Sequence, residues 1–190
     1  MELYALVDRD ALDKKGISLE KIIQRINTLK APILQYRAKN LSTKDRIRDL
    51  QIISSFYSGK IIINDDINAI SYCDGLHIGQ DDIKKFNLDY DKAIKIIREK
   101  IGHKLLGLST HNLLEIVEAN ALDLDYIGLG AYRATTTKKD VNIKGDNLLK
   151  IAKHSEHKVA LIGGVKLNDK FDNKLISYRV VGSDLYRKGT

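Results

Sequence analysis

Short apolar, often β-branched runs alternate along the chain with segments that carry one apolar helical face. Strands joined by crossover helices run parallel and lie next to each other. The predicted strands are Leu3–Val7, Ile33–Tyr36, Ile61–Ile63, Leu76–Ile78, Leu105–Leu108, Tyr126–Leu129, Val159–Ile162 and Val180–Val181. Eight strand–helix units favour an α/β fold closed as a (β/α)₈ TIM barrel over a doubly wound open sheet, which is the alternative.

The helical segments between these strands become weaker toward the C-terminus. Their apolar faces are predicted at Leu19, Ile22, Ile23, Ile26 and Leu29; Ile47, Leu50, Ile53 and Tyr57; Ala93, Ile94, Ile97 and Ile101; Leu113, Leu114, Val117 and Ala121; and Leu148, Leu149 and Ala152. Only residues 171–177 and 184–190 remain for the last two helices. Since (β/α)₈ barrels usually span roughly 200 residues or more, we expect one barrel domain over residues 1–190 with a shortened C-terminal end.

Composition excludes several classes of protein. The chain has no run of about 18 apolar residues, and its N-terminus lacks the pattern of a secretory signal. Cys73 is the single cysteine, which excludes an intramolecular disulfide and a multi-cysteine metal site. We therefore expect a cytoplasmic protein with no membrane partner.

The charge balance is basic, with 32 Lys and Arg against 25 Asp and Glu and a net charge of +7. Such a balance suits phosphate-bearing partners or nucleic acid. The lysines are spread over nearly every predicted helix, without an Arg/Lys run or an RNA-binding aromatic motif. A solvated basic surface is therefore favoured, and no nucleic-acid partner is predicted.

Two neighbouring strands end in carboxylates. Asn64 and Asp65 follow Ile61–Ile63, and Asp82 follows Leu76–Ile78. Because adjacent parallel strands lie on the order of 5 Å apart, the carboxylates of Asp65 and Asp82 are expected to converge. An oxygen-rich site of this kind suits Mg²⁺, which takes its remaining ligands from water and substrate phosphate.

Polar residues also follow the other strands, where a (β/α)₈ barrel carries its chemistry. Strand alternation sends Gln35, Arg37 and Lys39 to one side of the backbone, where they would face one cavity as phosphate donors. The later strands are followed by Ser109, Thr135, Thr137, Lys138, Gly163, Gly164, Gly182 and Ser183. Taken singly, a glycine pair is commonly a turn, but glycines also let backbone amides approach an anion. His77 is interpreted as a packed or hydrogen-bonded barrel residue, since no second histidine lies at ligand spacing.

Together these segments resemble the thiamine-phosphate synthase family over almost the whole chain. The matching segments are Leu3-Tyr-Ala-Leu-Val-Asp8, Gln35-Tyr-Arg-Ala-Lys39, Ile63-Asn-Asp65, Asp74-Gly-Leu-His-Ile-Gly-Gln-Asp-Asp82, Gly107-Leu-Ser-Thr-His111, Asp125-Tyr-Ile-Gly-Leu-Gly130, Thr135-Thr-Thr-Lys138 and Ile162-Gly-Gly164. The barrel enzyme of that family joins a pyrimidine pyrophosphate to a thiazole phosphate and releases pyrophosphate. The resemblance implies a transferase with these two small-molecule substrates and Mg²⁺ as cofactor.

The resemblance also implies roles for single residues. Gln35, Arg37, Lys39, Asn64 and Lys138 would hold the pyrophosphate, and Arg37, Lys39 and Lys138 would act in catalysis by neutralising it as it departs. Asp65 and Asp82 would hold Mg²⁺. Ser109 would face the pyrimidine. The thiazole phosphate would lie at Thr135, Thr137, Gly164, Gly182 and Ser183.

Two segments differ from the usual sequence of that family. Prolines are usual between its glycine and its threonines, whereas this chain has Gly130-Ala-Tyr-Arg-Ala-Thr135, which keeps the spacing and adds Arg133. Near the C-terminus a usual glycine- and alanine-rich segment is replaced by Leu175-Ile-Ser-Tyr-Arg-Val-Val-Gly-Ser183. A catalytically inactive or regulatory thiazole-phosphate-binding barrel is therefore the alternative function. The sequence also allows for a homo-oligomer.

Overall fold

Eight parallel strands form a closed barrel in a computed structural model that describes residues 1–133 and 145–187. The strands are β1 Glu2–Asp8, β2 Ile33–Arg37, β3 Lys60–Asn64, β4 Gly75–Ile78, β5 Leu105–Thr110, β6 Tyr126–Leu129, β7 Lys158–Leu161 and β8 Tyr178–Val181. They pair in chain order, and β1 pairs with β8 to close the barrel. The predicted (β/α)₈ barrel is confirmed, and the open doubly wound sheet is excluded.

Helices surround the barrel and mostly begin at side-chain caps. Within the described ranges they are α1 Arg9–Lys15, α2 Leu19–Thr28, α3 Thr43–Phe56, α4 Gln80–Ile83, α5 Tyr90–Ile101, α6 Leu113–Asn120 and α7 Asp146–Ala152, with 3₁₀ helices at Ile67–Tyr72 and Ser183–Tyr186. Asp8, Ser18, Ser42, Asp89 and Asn112 each accept a backbone N–H at the start of a helix. None of the described helices is long and apolar enough to span a bilayer.

The last two strand–helix units of the chain are shortened, as the chain length predicts. The described chain contains no helix between β7 and β8. Residues 171–177, where the sequence predicts the helix after β7, form turns and irregular backbone. Backbone hydrogen bonds still tie this segment to the barrel, because the Ser177 N–H donates to Val159 O and the Glu2 N–H donates to Ser177 O, both at 2.9 Å. The 3₁₀ helix Ser183–Tyr186 stands in the place of an eighth α-helix.

The main core lies between the outer faces of the strands and the helices. The predicted apolar face of α2 is buried through Ile22, Ile23 and Ile26, and α5 is buried through its own predicted face. A second, smaller cluster fills the inside of the barrel beneath its C-terminal mouth. That inner cluster consists of Tyr4, Ile33, Ile62, Tyr126, Ala160 and Val180.

Helix α6 buries a different face from the one that the sequence predicts. The prediction of a buried stripe at Leu113, Leu114, Val117 and Ala121 is wrong. Leu114 and Val117 are 66% and 53% exposed, whereas Ile116 is fully buried and Ala119 nearly so. Apolar residues occur on more than one side of this short helix, so periodicity alone does not select the buried side.

The corrected face of α6 gives a stability prediction. Ile116→Ala should lower the free energy of unfolding by about 2–5 kcal/mol, because it leaves a cavity at a fully buried position. Leu114→Ala should change it by about 0.5 kcal/mol or less, since that side chain is mostly in solvent. Urea denaturation measures both values. A larger loss for Leu114→Ala would show that α6 buries its other side.

Candidate active site

A cavity opens at the C-terminal ends of the strands and gathers polar residues from around the barrel. Its lining includes seven residues to which the resemblance assigns roles: Gln35, Arg37, Asn64, Ser109, Gly164, Gly182 and Ser183. Lys39, Asp65 and Asp82 are not part of this lining. Asp65 lies next to it, hydrogen-bonded to Asn64, and Asp82 lies near Asp65 at Gly79. Thr135, Thr137 and Lys138 lie outside the described residues.

Asp65 and Asp82 approach each other at the ends of β3 and β4. The Asp65 N–H donates to His77 O at 2.8 Å, and the Gly79 N–H donates to Asp65 Oδ1 at 3.0 Å. A Cβ placed on Gly79 would lie 3.3 Å from Asp82 Oδ2 and 3.7 Å from Asp65 Oδ1, so the two carboxylates lie around this glycine. Asp65 has φ +64°, a left-handed conformation that non-glycine residues rarely adopt.

The electrostatics of this pair favour a cation. Burial and the neighbouring negative charge of Asp82 raise the pKa of Asp65, against the opposing effects of the Gly79 N–H, Lys39 and Asn64. A bound cation would relieve the repulsion, and oxygen donors of this kind match Mg²⁺. Residues 1–133 and 145–187 contain no cluster of three or more His, Cys, Asp or Glu arranged to hold a metal. Asp65 and Asp82 could thus supply two protein ligands, with the remaining ligands coming from water or substrate.

The two acidic neighbours of this pair differ from it and from each other. Asp66 is buried and structural, because it accepts hydrogen bonds from Arg46 Nη1 at 2.7 Å and Thr43 Oγ1 at 2.8 Å. The Asp81 side chain is 98% exposed. Asp81 is therefore a clean control for substitutions at the pair, whereas replacing Asp66 would disturb folding.

Arg37 lines the cavity but already has an acidic partner. Its guanidinium forms an ion pair with Asp8, a residue to which the sequence analysis assigns no role. Asp8 is buried at the end of β1, and it also accepts the Ala11 N–H at 3.0 Å. Asp8 therefore holds Arg37 in a defined orientation. Lys39 is exposed, and its charge acts on Asp65.

A chain of polar side chains forms the floor of the cavity. Gln35 Nε2 donates to the Tyr4 hydroxyl at 3.0 Å, which lies 2.8 Å from the Tyr126 hydroxyl. His77 stacks on the Tyr126 ring, and its two ring nitrogens lie 3.2 Å from that hydroxyl and 3.0 Å from Ser109 Oγ. Burial raises the pKa of both tyrosines, so their hydroxyls stay neutral.

His77 is hydrogen-bonded inside the barrel, as predicted, and it also lines the cavity, which the sequence analysis does not foresee. The signal for the second property lies in the strand pattern. Leu76 and Ile78 both pack in the main core, so alternation turns His77 between them toward the barrel axis.

The turn after β7 is made by two consecutive glycines. Gly163 and Gly164 have φ +92° and +66°, and a Cβ on Gly163 would lie 2.5 Å from Ala131 Cβ. Both positions therefore require glycine. Among the described residues, no backbone hydrogen bond uses the Gly164 N–H as its donor. Within residues 1–133 and 145–187 it is therefore available to an anion in the cavity.

These observations define a class, a (β/α)₈ barrel with a cavity at the C-terminal strand ends to which several strands contribute polar side chains. The family model described as thiamine monophosphate synthase matches residues 3–172. The chain belongs to the thiamine monophosphate synthase family.

Curated relatives agree with that assignment. The thiamine-phosphate synthase of Persephonella marina is 33% identical over 172 residues, 87% of this chain and 77% of the relative. The thiamine-phosphate synthase of Chloroflexus aurantiacus is 34% identical over 170 residues, 86% and 74% of the two chains. The solved thiamine phosphate pyrophosphorylase of Pyrococcus furiosus superposes with a TM-score of 0.74 at 23% identity, over 96% of this chain and 85% of that one, and supports the fold.

The closeness of the two carboxylates gives a titration prediction. Asp82→Asn should lower the pKa of Asp65, because the substitution removes a negative charge that disfavours ionisation of its neighbour. Carbon-13 NMR of the side-chain carboxyl, without divalent cations, measures this pKa. Asp81→Asn should leave it unchanged. An Asp65 pKa that does not respond to Asp82→Asn would contradict the proximity of the pair.

Proposed function

We propose that this chain is a thiamine-phosphate synthase that joins 4-amino-2-methyl-5-(diphosphooxymethyl)pyrimidine to 4-methyl-5-(2-phosphoethyl)thiazole. Family membership and curated relatives with that name support the reaction. The observation that carries the proposal is the placement of a carboxylate pair and a double-glycine turn at one barrel mouth. A pyrophosphate end and a phosphate end are what this pair of substrates requires.

The pyrophosphate end is proposed on the side of β2 and β3. Arg37, Lys39 and Asn64 provide donors there, and Asp65 and Asp82 are the residues that would hold Mg²⁺. When bound, Mg²⁺ would neutralise charge on the pyrophosphate leaving group. The Asp8–Arg37 ion pair keeps one cation aimed at the cavity in the free protein. The resemblance adds Lys138 to this group.

The floor of the cavity is proposed as the place of the pyrimidine. Gln35 and Ser109 lie at its two ends, linked through Tyr4, Tyr126 and His77. The amide, hydroxyl and imidazole groups of this floor can donate and accept hydrogen bonds, which suits an amino-substituted ring. This assignment keeps the predicted role of Ser109 and adds His77. It moves Gln35 from the predicted pyrophosphate site to the pyrimidine, because the Gln35 amide is hydrogen-bonded to Tyr4 in the floor.

The thiazole phosphate is proposed at the opposite rim. Gly164 lies there with a free amide among the described residues, and Gly182 and Ser183 contribute to the same cavity. The resemblance adds Thr135 and Thr137. Backbone amides and hydroxyls are common phosphate donors at the C-terminal face of (β/α)₈ barrels.

The proposed reaction depends on charge stabilisation and positioning. The C–O bond between the pyrimidine methylene and the pyrophosphate breaks, and its electron pair leaves with the pyrophosphate. The amino-substituted ring stabilises the resulting cation by resonance, and the lone pair of the thiazole nitrogen forms the new C–N bond. No proton is transferred, so no general base is needed. The protein contributes by holding cations around the leaving group and keeping the two substrates aligned.

The direct test is an assay of the purified protein with both substrates and Mg²⁺, in which thiamine phosphate and pyrophosphate should appear in equal amounts. A protein that binds both substrates and forms no product would support the regulatory barrel instead.

The carboxylate pair should be needed for turnover. Asp65→Asn or Asp82→Asn should lower kcat at least about tenfold, equal to about 1.4 kcal/mol of transition-state stabilisation. Asp81→Asn, at an exposed position, should stay within about twofold of the parent. Because cation binding needs the ionised carboxylate, Mg²⁺ affinity should fall as the pH drops through the raised pKa of Asp65. Full activity of Asp65→Asn would rule out the proposed metal role.

Arg37 should serve the pyrophosphate end. Arg37→Ala should weaken binding of Mg²⁺-pyrophosphate by about 1.5–3 kcal/mol, the usual effect of losing one charge-assisted donor, and should affect thiazole-phosphate binding much less. Calorimetry measures both affinities.

The control for Arg37 must account for Asp8, which the substitution leaves buried and unpaired. Arg37→Ala combined with Asp8→Asn removes that charge, and the new amide can still accept the Ala11 N–H. The double variant should recover stability without recovering pyrophosphate affinity. An equal loss of affinity for both ligands would count against the assignment.

A further inference from the structure

Arg133 connects the loop after β6 to the double-glycine turn after β7. Its backbone N–H donates to Gly163 O at 2.8 Å, and its side-chain Nη1 donates to Gly164 O at 3.1 Å. One residue therefore hydrogen-bonds to the carbonyls of both glycines.

Asp169, which follows the same turn in the chain, forms an ion pair with the Arg133 guanidinium. Both carboxylate oxygens accept from Arg133, with Nη2 lying 3.2 Å from Oδ1, and Oδ2 also accepts the Lys166 N–H at 2.8 Å. The backbone carbonyl of Asp169 accepts from Arg179 Nη1 at 2.7 Å. Asp169 thus joins the loops after β6 and β7 to β8.

Aromatic packing further restricts the guanidinium. Arg133 Cζ lies 4.5 Å from the ring centroid of Tyr132, and the Tyr132 and Phe171 rings meet edge to face at 5.2 Å. The Tyr132 hydroxyl donates to Asp146 Oδ1 at 3.0 Å. Arg133 is therefore held by a carboxylate, a carbonyl and a ring.

The charge state of the pair fits this arrangement. Burial opposes ionisation of Asp169, but hydrogen bonds from Arg133 and from the Lys166 N–H outweigh it and lower the pKa of Asp169. The Arg133 side chain is 41% exposed, so solvent weakens the attraction and little of the overall stability depends on it. A bidentate Arg–carboxylate contact does, however, fix the orientation of the two side chains, and the flexible glycine turn needs a fixed neighbour of this kind.

The double-glycine turn needs such support if it is to bind an anion. Gly163 and Gly164 both adopt left-handed φ values, and glycine has the greatest backbone freedom of any residue. An amide contributes most to anion binding when its direction is set before the ligand arrives.

We propose that Arg133 and Asp169 form a clamp that positions the Gly163–Gly164 turn for the phosphate of the second substrate. The clamp deepens the proposed function and rests on it. Both members are positioning residues, since they contact the turn and each other. The phosphate end of the cavity should depend on them, and the pyrophosphate end should not.

Kinetics of three variants test this division. Arg133→Gln and Asp169→Asn should each raise the KM for thiazole phosphate about tenfold, with kcat and the KM for the pyrimidine pyrophosphate within about twofold. Arg133→Lys keeps the charge with a less well-matched donor, so it should recover part of the loss. Arg48→Gln removes the exposed Arg48–Asp45 ion pair on α3 and is the matched control, with no expected effect. Equal increases in both KM values would overturn the clamp.

Hydrogen–deuterium exchange without substrates tests the clamp independently of catalytic activity. In Arg133→Gln, the amides of Ile162 and Lys166, which donate to Leu129 O and Asp169 Oδ2, should exchange about tenfold faster than in the parent. Exchange in β3 and β4 reports on global unfolding and should not change. Arg48→Gln should match the parent. Unchanged exchange at Ile162 and Lys166 would overturn the clamp, whereas an inactive parent with these exchange differences would overturn only the synthase proposal.

Discussion

Closure of the parallel barrel is the constraint on which the site depends. All strands run in one direction, so their C-terminal ends share one rim and the residues that follow them become neighbours. The pairing of Asn64 with His77 between β3 and β4 places Asp65 beside Gly79. The pairing of Leu129 with Leu161 continues past the strands and places Arg133 beside Gly163. Backbone register thus brings Asp65 to Gly79 and Arg133 to Gly163, and side-chain hydrogen bonds then fix the orientation of these residues.

Positive and negative side chains at the rim differ in how far they are neutralised by partners. The positive charge of Arg37 is balanced by its ion pair with Asp8. Negative charge is balanced less completely. Asp82 contacts Lys85 Nζ at 2.5 Å, yet the repulsion between Asp65 and Asp82 persists and contributes to the raised pKa of Asp65. A site with unrelieved negative repulsion beside oriented positive donors is suited to binding a cation together with an anion.

Much of this arrangement could be predicted from sequence because it follows from periodicity. The alternation of strand and helix segments predicts the barrel, and the strand-end rule predicts that Asp65 and Asp82 converge. Side-chain alternation along β2 predicts that Gln35, Arg37 and Lys39 face one cavity, and Gln35 and Arg37 line it whereas Lys39 does not. Side-chain partners could not be predicted in the same way. Arg37 is predicted as a phosphate donor, but its pairing with Asp8 is not predicted, because the partner of a long side chain depends on loop path and rotamer. Asp169 lies 36 positions from Arg133, with no pattern that links them. The prediction of the buried face of α6 was wrong for a different reason, since the apolar residues of that helix allow more than one buried side.

The most direct test of the account is a crystal structure of the protein with Mn²⁺ and pyrophosphate, using the anomalous signal of manganese to locate the metal. The account predicts one anomalous peak that contacts the carboxylates of both Asp65 and Asp82, with the pyrophosphate bound between that metal and Arg37. A metal bound away from this pair, or a pyrophosphate bound at the Gly163–Gly164 turn in its place, would contradict it.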